Sequence, residues 1–339
     1  MKLAFFALIP LILSVGIAPA LQSDFLPEAN AIKAKGTSLP ETGSKKVCGD
    51  KLCSEPEVLK QPSVTEESAA IPGNVVYQNG LYQLIEVSEN LYSFSEFTYF
   101  SMVLVTDEGV IVVDPVNTEH SEVMLQAIKA ITDQPIKYLI YSHNHWDHSL
   151  GGQVFKDEGA TILSHVDTRD WFLDNPNPNA IVPDEVWEGN QKEIVLGGKT
   201  LELHHYGPSH GKGMTVFYLP DEKIIFIVDL VTPKTVGFGI LADFVPSEWE
   251  RTLIEVEKLD FEIAMFSHKK PFGPASEVTE IREYLQDLRG EVFRMMEEGA
   301  YPMMIPSTIE LPKYQDWGAY DQWLELNAWR VLMEFWVGW

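Results

Sequence analysis

The sequence predicts a chain of the α+β class, strands in its middle and helices at its carboxyl end, with its chemistry at one edge of a sheet. Two observations carry this. Short apolar runs at 109–114, 136–141, 223–229 and 261–268 each end in, or lead directly into, Asp or His. Runs of that length bounded by polar residues read as buried strands. Residues 276–298, by contrast, carry Val278, Ile281, Tyr284, Leu285, Leu288 and Val292 at the spacing of one helix face.

Taken in order, residues 1–20 hold Lys2, an apolar run to Ile17 and the small pair Ala18 and Ala20 around Pro19. That is the plan of a secretory signal, and it predicts a secreted, periplasmic or surface location. The alternative is an uncleaved membrane anchor, because 3–21 almost reaches spanning length. Residues 22–75 are rich in Ser, Glu, Lys, Pro and Ala without apolar periodicity and read as a flexible tether. Both cysteines lie there, Cys48 and Cys53, and in an oxidising compartment they predict a small local disulfide. The core is expected over 76–275 and a helical extension over 276–339. A helix is also expected from Ser247, taken as its cap, through Leu253, Val256 and Leu259. The tail carries Trp323, Trp329, Trp336 and Trp339 and is expected to dock on the core.

The densest signal is Tyr141-Ser-His-Asn-His-Trp-Asp-His148, which places His143, His145, Asp147 and His148 within six positions. Three imidazoles and a carboxylate that close resist burial unless a cation gathers them, and zinc and ferrous iron accept both donor types. His143 and His145, two apart in extended chain, point the same way. The chain then turns, so Asp147 and His148 face a second centre beside the first. His210, Asp229 and His268 follow in later segments, the last two at strand ends, and Asp114 ends an earlier strand.

In this His-x-His-x-Asp-His signature and the His, Asp and His after it, the chain resembles the metallo-β-lactamase superfamily over roughly residues 76–275. The resemblance implies an αββα sandwich of two mixed β-sheets flanked by helices. It implies that His143, His145 and His210 bind a first metal and that Asp147, His148 and His268 bind a second, with Asp229 bridging. Asp114 would support the site by hydrogen bonding without being a ligand. Two places depart from the family pattern. Gly211-Lys212 follows His210 where Thr is usual, and Ser267 and Lys269 flank His268 where glycines are usual. Asp at the bridging position resembles the lactonase, thioesterase and phosphodiesterase branches.

This ligand set predicts two zinc ions per chain, roughly 3.5–4 Å apart, with a water between them made nucleophilic near neutral pH. Asp147 would orient that nucleophile. The expected reaction is hydrolysis of a carbonyl substrate, a β-lactam, lactone, ester or thioester, with the first two placed slightly ahead. The alternative is a mononuclear non-haem iron oxygenase of the same fold (persulfide dioxygenase-like), with one Fe(II) in the first site. A formal charge of −25 repels phosphate backbones and argues against nucleic-acid partners, leaving a small-molecule substrate. Lys212, Lys269 and Lys270 each lie within two residues of a candidate ligand and are the candidate receptors of a substrate carboxylate. The aromatics of 94–100 are expected in the core or over the metals, and 171–189 reads as one long loop. His165, His204 and His205 read as strand-end or second-layer residues, and His120 has no chemical context.

Overall fold

The computed structural model describes residues 73–338. The signal-like segment, the tether and the Cys48/Cys53 pair lie outside the described residues, as does Trp339. Alternation along the strands builds the sandwich. In one sheet run β1 (Asn74–Asn79), β2 (Tyr82–Ser88), β3 (Leu91–Glu96), β4 (Tyr99–Thr106), β5 (Gly109–Val113), β6 (Ile136–Ile140), β7 (Thr161–His165) and β8 (Glu185–Trp187), neighbours in chain order. The pairs from β1 to β5 are antiparallel and those from β5 to β8 parallel. The second sheet holds β9 (Gln191–Leu196), β10 (Lys199–His204), β11 (Val216–Leu219), β12 (Ile224–Ile227), β13 (Ile263–Phe266) and β14 (Phe272–Pro274). Only β12 and β13 pair in parallel there.

Successive residues of a strand face opposite sides. Met102 and Leu104 of β4 and Ile224 and Phe226 of β12 therefore meet in one cluster between the sheets. Val103 and Val105 turn the other way, against Met124, Ala127 and Ile128 of α1 (Thr118–Ile131). Ile225 and Ile227 turn toward the later helices. Strands covered on both faces must be apolar almost throughout, which is why these runs read as continuous hydrophobic stretches.

Three short helices follow β6 and β7: α2 (Trp146–Ser149), α3 (Gln153–Asp157) and α4 (Val166–Asp174). The expected loop 171–189 is thus shorter: Trp171 to Asp174 close α4, and β8 begins at Glu185. Apolar Trp171 and Phe172 pack onto Trp146, which carries the helix up to Asp174, where the Pro and Asn residues begin. On the other sheet lie α5 (Pro246–Val256), α6 (Ser276–Glu297), α7 (Ile305–Thr308) and α8 (Tyr320–Val337). Ser247 does not cap α5. The helix opens with Pro246 at its first position, and Ser247 donates from its backbone N to Glu334 of α8 at 3.1 Å. The buried face of α6 is the stripe Val278, Ile281, Tyr284, Leu285, Leu288 and Val292, joined by Glu277. No helix among the described residues is long and apolar enough to cross a membrane.

α8 docks on α5 and α6, with Trp323 and Trp329 partly buried and Trp336 exposed. Its buried Asn327 accepts from the Tyr284 hydroxyl at 2.8 Å and donates to the carbonyls of Gly237 and Gly239 at 2.9 and 2.8 Å. Replacing Asn327 with Ala leaves all three groups without that partner. The expected cost is about 2–3 kcal/mol, read as a lower urea midpoint at an unchanged slope.

Candidate metal centre

All the candidate ligands arrive at one edge of the sandwich. After β6 the chain continues through Tyr141 and Ser142 to buried His143, then reverses through α2, which carries Asp147 and His148. His210 comes from the connection between β10 and β11, Asp229 follows β12, and His268 follows β13. The edge is stitched across the two sheets: the backbone N of Phe100 donates to Ser267 O at 2.9 Å, and Thr215 N donates to Ser142 O at 2.9 Å.

Asp229 is the hub. Its backbone takes a positive φ of 27°, and the Ser267 hydroxyl donates to its Oδ1 at 3.0 Å. A strained backbone of this kind persists only where the surroundings hold it. Its Oδ2 lies 3.3 Å from His143 Nε2, 3.2 Å from His210 Nε2 and 3.8 Å from His145 Nδ1. Its Oδ1 lies 2.9 Å from His268 Nε2 and 3.1 Å from His148 Nε2. Asp147 Oδ2 stands 3.8 Å from His148 Nε2. The donor atoms of His143, His145, His210 and Asp229 all lie within 4.8 Å of one another, and so do those of Asp147, His148 and His268.

The far nitrogens of four of the five rings are hydrogen-bonded to a group that accepts a proton. His268 Nδ1 faces the Thr98 carbonyl at 3.3 Å, and His148 Nδ1 faces Asp114 Oδ2 at 3.1 Å. His143 Nδ1 faces Ser142 Oγ at 2.9 Å, and that hydroxyl gives its own proton to Asp114 at 2.7 Å. The carboxylate of Asp243 bonds His145 Nε2, and its other oxygen lies 3.4 Å from the buried His210 Nδ1, which makes no hydrogen bond. An N–H on the far side leaves the near nitrogen with a lone pair aimed at Asp229. The near nitrogens of His143 and His148 are buried and, although within ion-pair range of Asp229, make no hydrogen bond. Five lone pairs converging on a buried carboxylate fit divalent cations, and the donor set fits zinc or iron.

The electrostatics are those of a site that binds protons or metal in competition. Burial pushes the Asp229 pKa up, but His148, His268, His143 and His145 outweigh it and hold the carboxyl well below its usual range. Burial likewise depresses His145, yet Asp229 and Asp243 raise it to about 9. His148 is raised well above the ordinary value against the same burial, by Asp229 and Asp114. For His143 burial wins over Asp229 and holds the ring well below the normal imidazole value.

Asp114 sits fully buried on a positive φ of 61°, touching the ring of His148 as a supporting residue would. Asp243 is a residue that the sequence did not single out; it lies in the irregular segment before α5, with no strand end or periodic pattern to mark it. Tyr99 is another. Its hydroxyl lies 3.3 Å from Asp147 Oδ2 and its ring packs on His268, while Phe94 and Phe100 of the same segment join the core and Phe97 is exposed. Burial, then the charge of Asp147, pushes the phenol up to about 12, so it stays a donor.

The three lysines divide. Lys212 lines a cleft of about 480 Å³ with Arg330, His145 and Asp243. Lys269 instead gives its ammonium to Pro233 O, Lys234 O and Thr235 Oγ1 at 2.7, 3.0 and 2.9 Å, and Lys270 pairs with Glu277 at 2.6 Å. Neither presents a free cation, because nearby oxygens in the loop and helix satisfy them first. Gly211 explains one departure from the family pattern: at φ 55° a Cβ there would lie 2.8 Å from Asn144 Oδ1 and 3.0 Å from His143 Cδ2. His165, Asp167 and His205 form a third grouping, but the two rings are stacked 4.1 Å apart. Stacking aims their in-plane lone pairs side by side instead of at one point. His120 is buried against Phe94 and Ser101, and His204 pairs with Glu202.

A family model described as the metallo-beta-lactamase superfamily matches residues 96–268. The chain belongs to the metallo-beta-lactamase superfamily. Over 187 residues it is 26% identical to the 2,4-dinitroanisole O-demethylase subunit alpha of Nocardioides sp. (strain JS1661), covering 54% of this chain and 56% of that one. Over 262 residues it is 22% identical to a linear primary-alkylsulfatase of Pseudomonas sp. (strain ATCC 19151), covering 61% and 49%. The chain thus spans about half the length of these relatives. A metallo-beta-lactamase from Pontibacter korlensis shares the fold at a TM-score of 0.56 and 23% identity, over 61% of this chain and 99% of that one. Members of the superfamily bind metal ions, and the His and Asp clusters of this chain stand at the sandwich edge.

Asp243→Asn keeps the shape of the side chain but removes the charge that faces His145 and His210. Zinc affinity, measured by competition with a chromophoric chelator, is expected to fall about 10–100-fold while circular dichroism stays unchanged. Undiminished affinity would show that Asp243 does not orient these rings.

Proposed function

We propose that this protein is a dinuclear metal-dependent hydrolase, with zinc as the metal, acting on a small ester-type substrate. The observation that carries this reading is the division of Asp229: one oxygen faces His143, His145 and His210, and the other faces His148 and His268. A second complete set beside the first supports two ions over the single Fe(II) of the oxygenase alternative. Divalent ions held there would supply Lewis acidity, polarising an ester oxygen and making a water nucleophilic near neutral pH.

The chain's own residues then have separate tasks. Asp229 holds the negative charge that keeps five imidazoles in register. Asp114, Asp243, Ser142 and the Thr98 carbonyl hold His148, His145, His143 and His268 by their far nitrogens, and the charge of Asp243 faces His210. Asp147 is the most exposed acid of the set, able to receive a proton and orient a water, and Tyr99 holds one of its oxygens. Lys212, in its cleft beside His145, is placed to meet an anionic group.

Of the carbonyl substrates expected from sequence, an ester with an apolar group now leads a β-lactam. The cavity over the cluster is walled by Phe238, Leu241, Phe244 and Trp323. The relatives named for dinitroanisole and for linear primary alkyl sulfates weigh the same way. A small-molecule substrate and export from the cytoplasm complete the proposal.

Elemental analysis of the purified protein, paired with hydrolysis of p-nitrophenyl esters, a lactone and nitrocefin with and without chelator, tests it. Two zinc per chain and chelator-sensitive ester hydrolysis are expected; one iron and no hydrolysis would turn the case to the oxygenase. Asp147→Ala is expected to lower turnover about 10²–10⁴-fold with the fold intact. Lys212→Ala is expected to raise KM for anionic esters and leave KM for neutral ones; an equal effect on both would remove its anion-binding role.

A further inference from the structure

The cluster opens into a cavity of about 690 Å³ whose outer wall belongs to neither sheet. That wall is residues 232–244 together with α8. Phe238 and Ile240 stand 76% and 54% exposed on the loop, where isolated apolar side chains gain nothing from burial. Across from them the ring of Trp323 meets Phe238 edge-on, 4.9 Å between centroids. Leu241, Phe244 and Trp249, all buried, form the floor. Asn327, one helical turn beyond Trp323, ties the loop to α8 through Gly237 and Gly239, so the wall is held in place.

The ionisable groups of this cavity gather at one end, the metal side. There Asp147, Asp229 and Asp243 stand among His145, His210 and His268. Among the lining residues the one lysine is Lys269, and its three donors are already taken by three oxygens. A negatively charged tail would find no free ammonium there, and a polar one would face mostly carbon.

We propose that this cavity is the subsite for an uncharged apolar group, alkyl or aryl, of the substrate, with Trp323 and Phe238 as its specificity-determining residues. The inference rests on the hydrolase reading only for placing the scissile bond at Asp229. A cavity of this size, largely apolar with a few polar groups converging at one end, is the usual form of a small-molecule site.

The test separates the two readings. Metal-free protein is titrated with 1-butanol, 1-hexanol, 1-octanol and 2-naphthol by calorimetry and tryptophan fluorescence. Zinc-loaded protein is assayed on p-nitrophenyl acetate, butyrate, hexanoate and octanoate. Affinity for the alcohols is expected to rise about two- to fourfold per methylene, with a negative heat-capacity change. The specificity constant for the esters is expected to rise in parallel. Trp323→Ala and Phe238→Ser are each expected to flatten both slopes; Phe238, being on the surface, can be changed without loss of folding. Alcohol binding with that slope but no ester hydrolysis would leave the subsite standing and overturn the hydrolase. Ester hydrolysis indifferent to chain length, with no alcohol binding, would overturn the subsite and leave the hydrolase. Variants that both keep the wild-type slopes would likewise overturn it.

Discussion

A buried carboxylate is costly unless positive charge surrounds it, and removing its partners costs several kcal/mol. Asp229 sits where β12 runs out, between the edges of two sheets, and its partners come from both of them. His143, His145 and His148 leave the first sheet; His210 and His268 leave the second. The sandwich edge is therefore closed around one charge. Its strained backbone, the Ser267 hydroxyl on its Oδ1 and the bridge from Phe100 to Ser267 are the means by which that carboxylate is kept in place.

The layers of the fold determine where such a site can form. Strands apolar on both faces leave no room for chemistry along their length, so polar groups collect at their ends. Asp114 does for the first sheet what Asp229 does for the second: each is an acid at the end of a buried strand, on a positive φ, receiving hydrogen bonds from a neighbouring Ser. Around this inner ring lies a further ring of acceptors, Ser142, Asp114, Asp243 and the Thr98 carbonyl, each selecting one tautomer. Such outer contacts orient metal-binding rings and raise their basicity.

The cavity has a different origin from the metal edge. The cluster comes from the sandwich, whereas the cavity above it is walled by a loop and by α8, which packs on the helical side of the second sheet. Asn327 connects these parts, bonding at once to Tyr284 of α6 and to two carbonyls of the loop. A helix outside the ligand-bearing segments thus shapes what can approach the ligands.

Much of this was legible in the sequence because its signals are local. The unbroken apolar runs of 109–113 and 224–227, the helical stripe of α6 and the spacing of 143–148 depend only on residues a few positions apart. The resemblance then joined His210, Asp229 and His268 to them. Asp243 and Tyr99 carried no such signal: one lies in irregular chain, the other among aromatics that divide between core and site. Lys269 and Lys270 show the same limit, since sequence placed them beside a ligand but could not say which way a loop side chain turns. Their ammonium groups found the oxygens of Pro233, Lys234 and Thr235, and of Glu277. Sequence alone determined the strands that end at the site, the helices α5 and α6 and the candidate ligands, because periodicity and donor chemistry are properties of neighbouring residues; it did not mark α1 or the outer strands. Tertiary structure alone decided most of the outer acceptors, the orientation of Lys269 and the apolar wall, because these are meetings of groups tens to hundreds of residues apart.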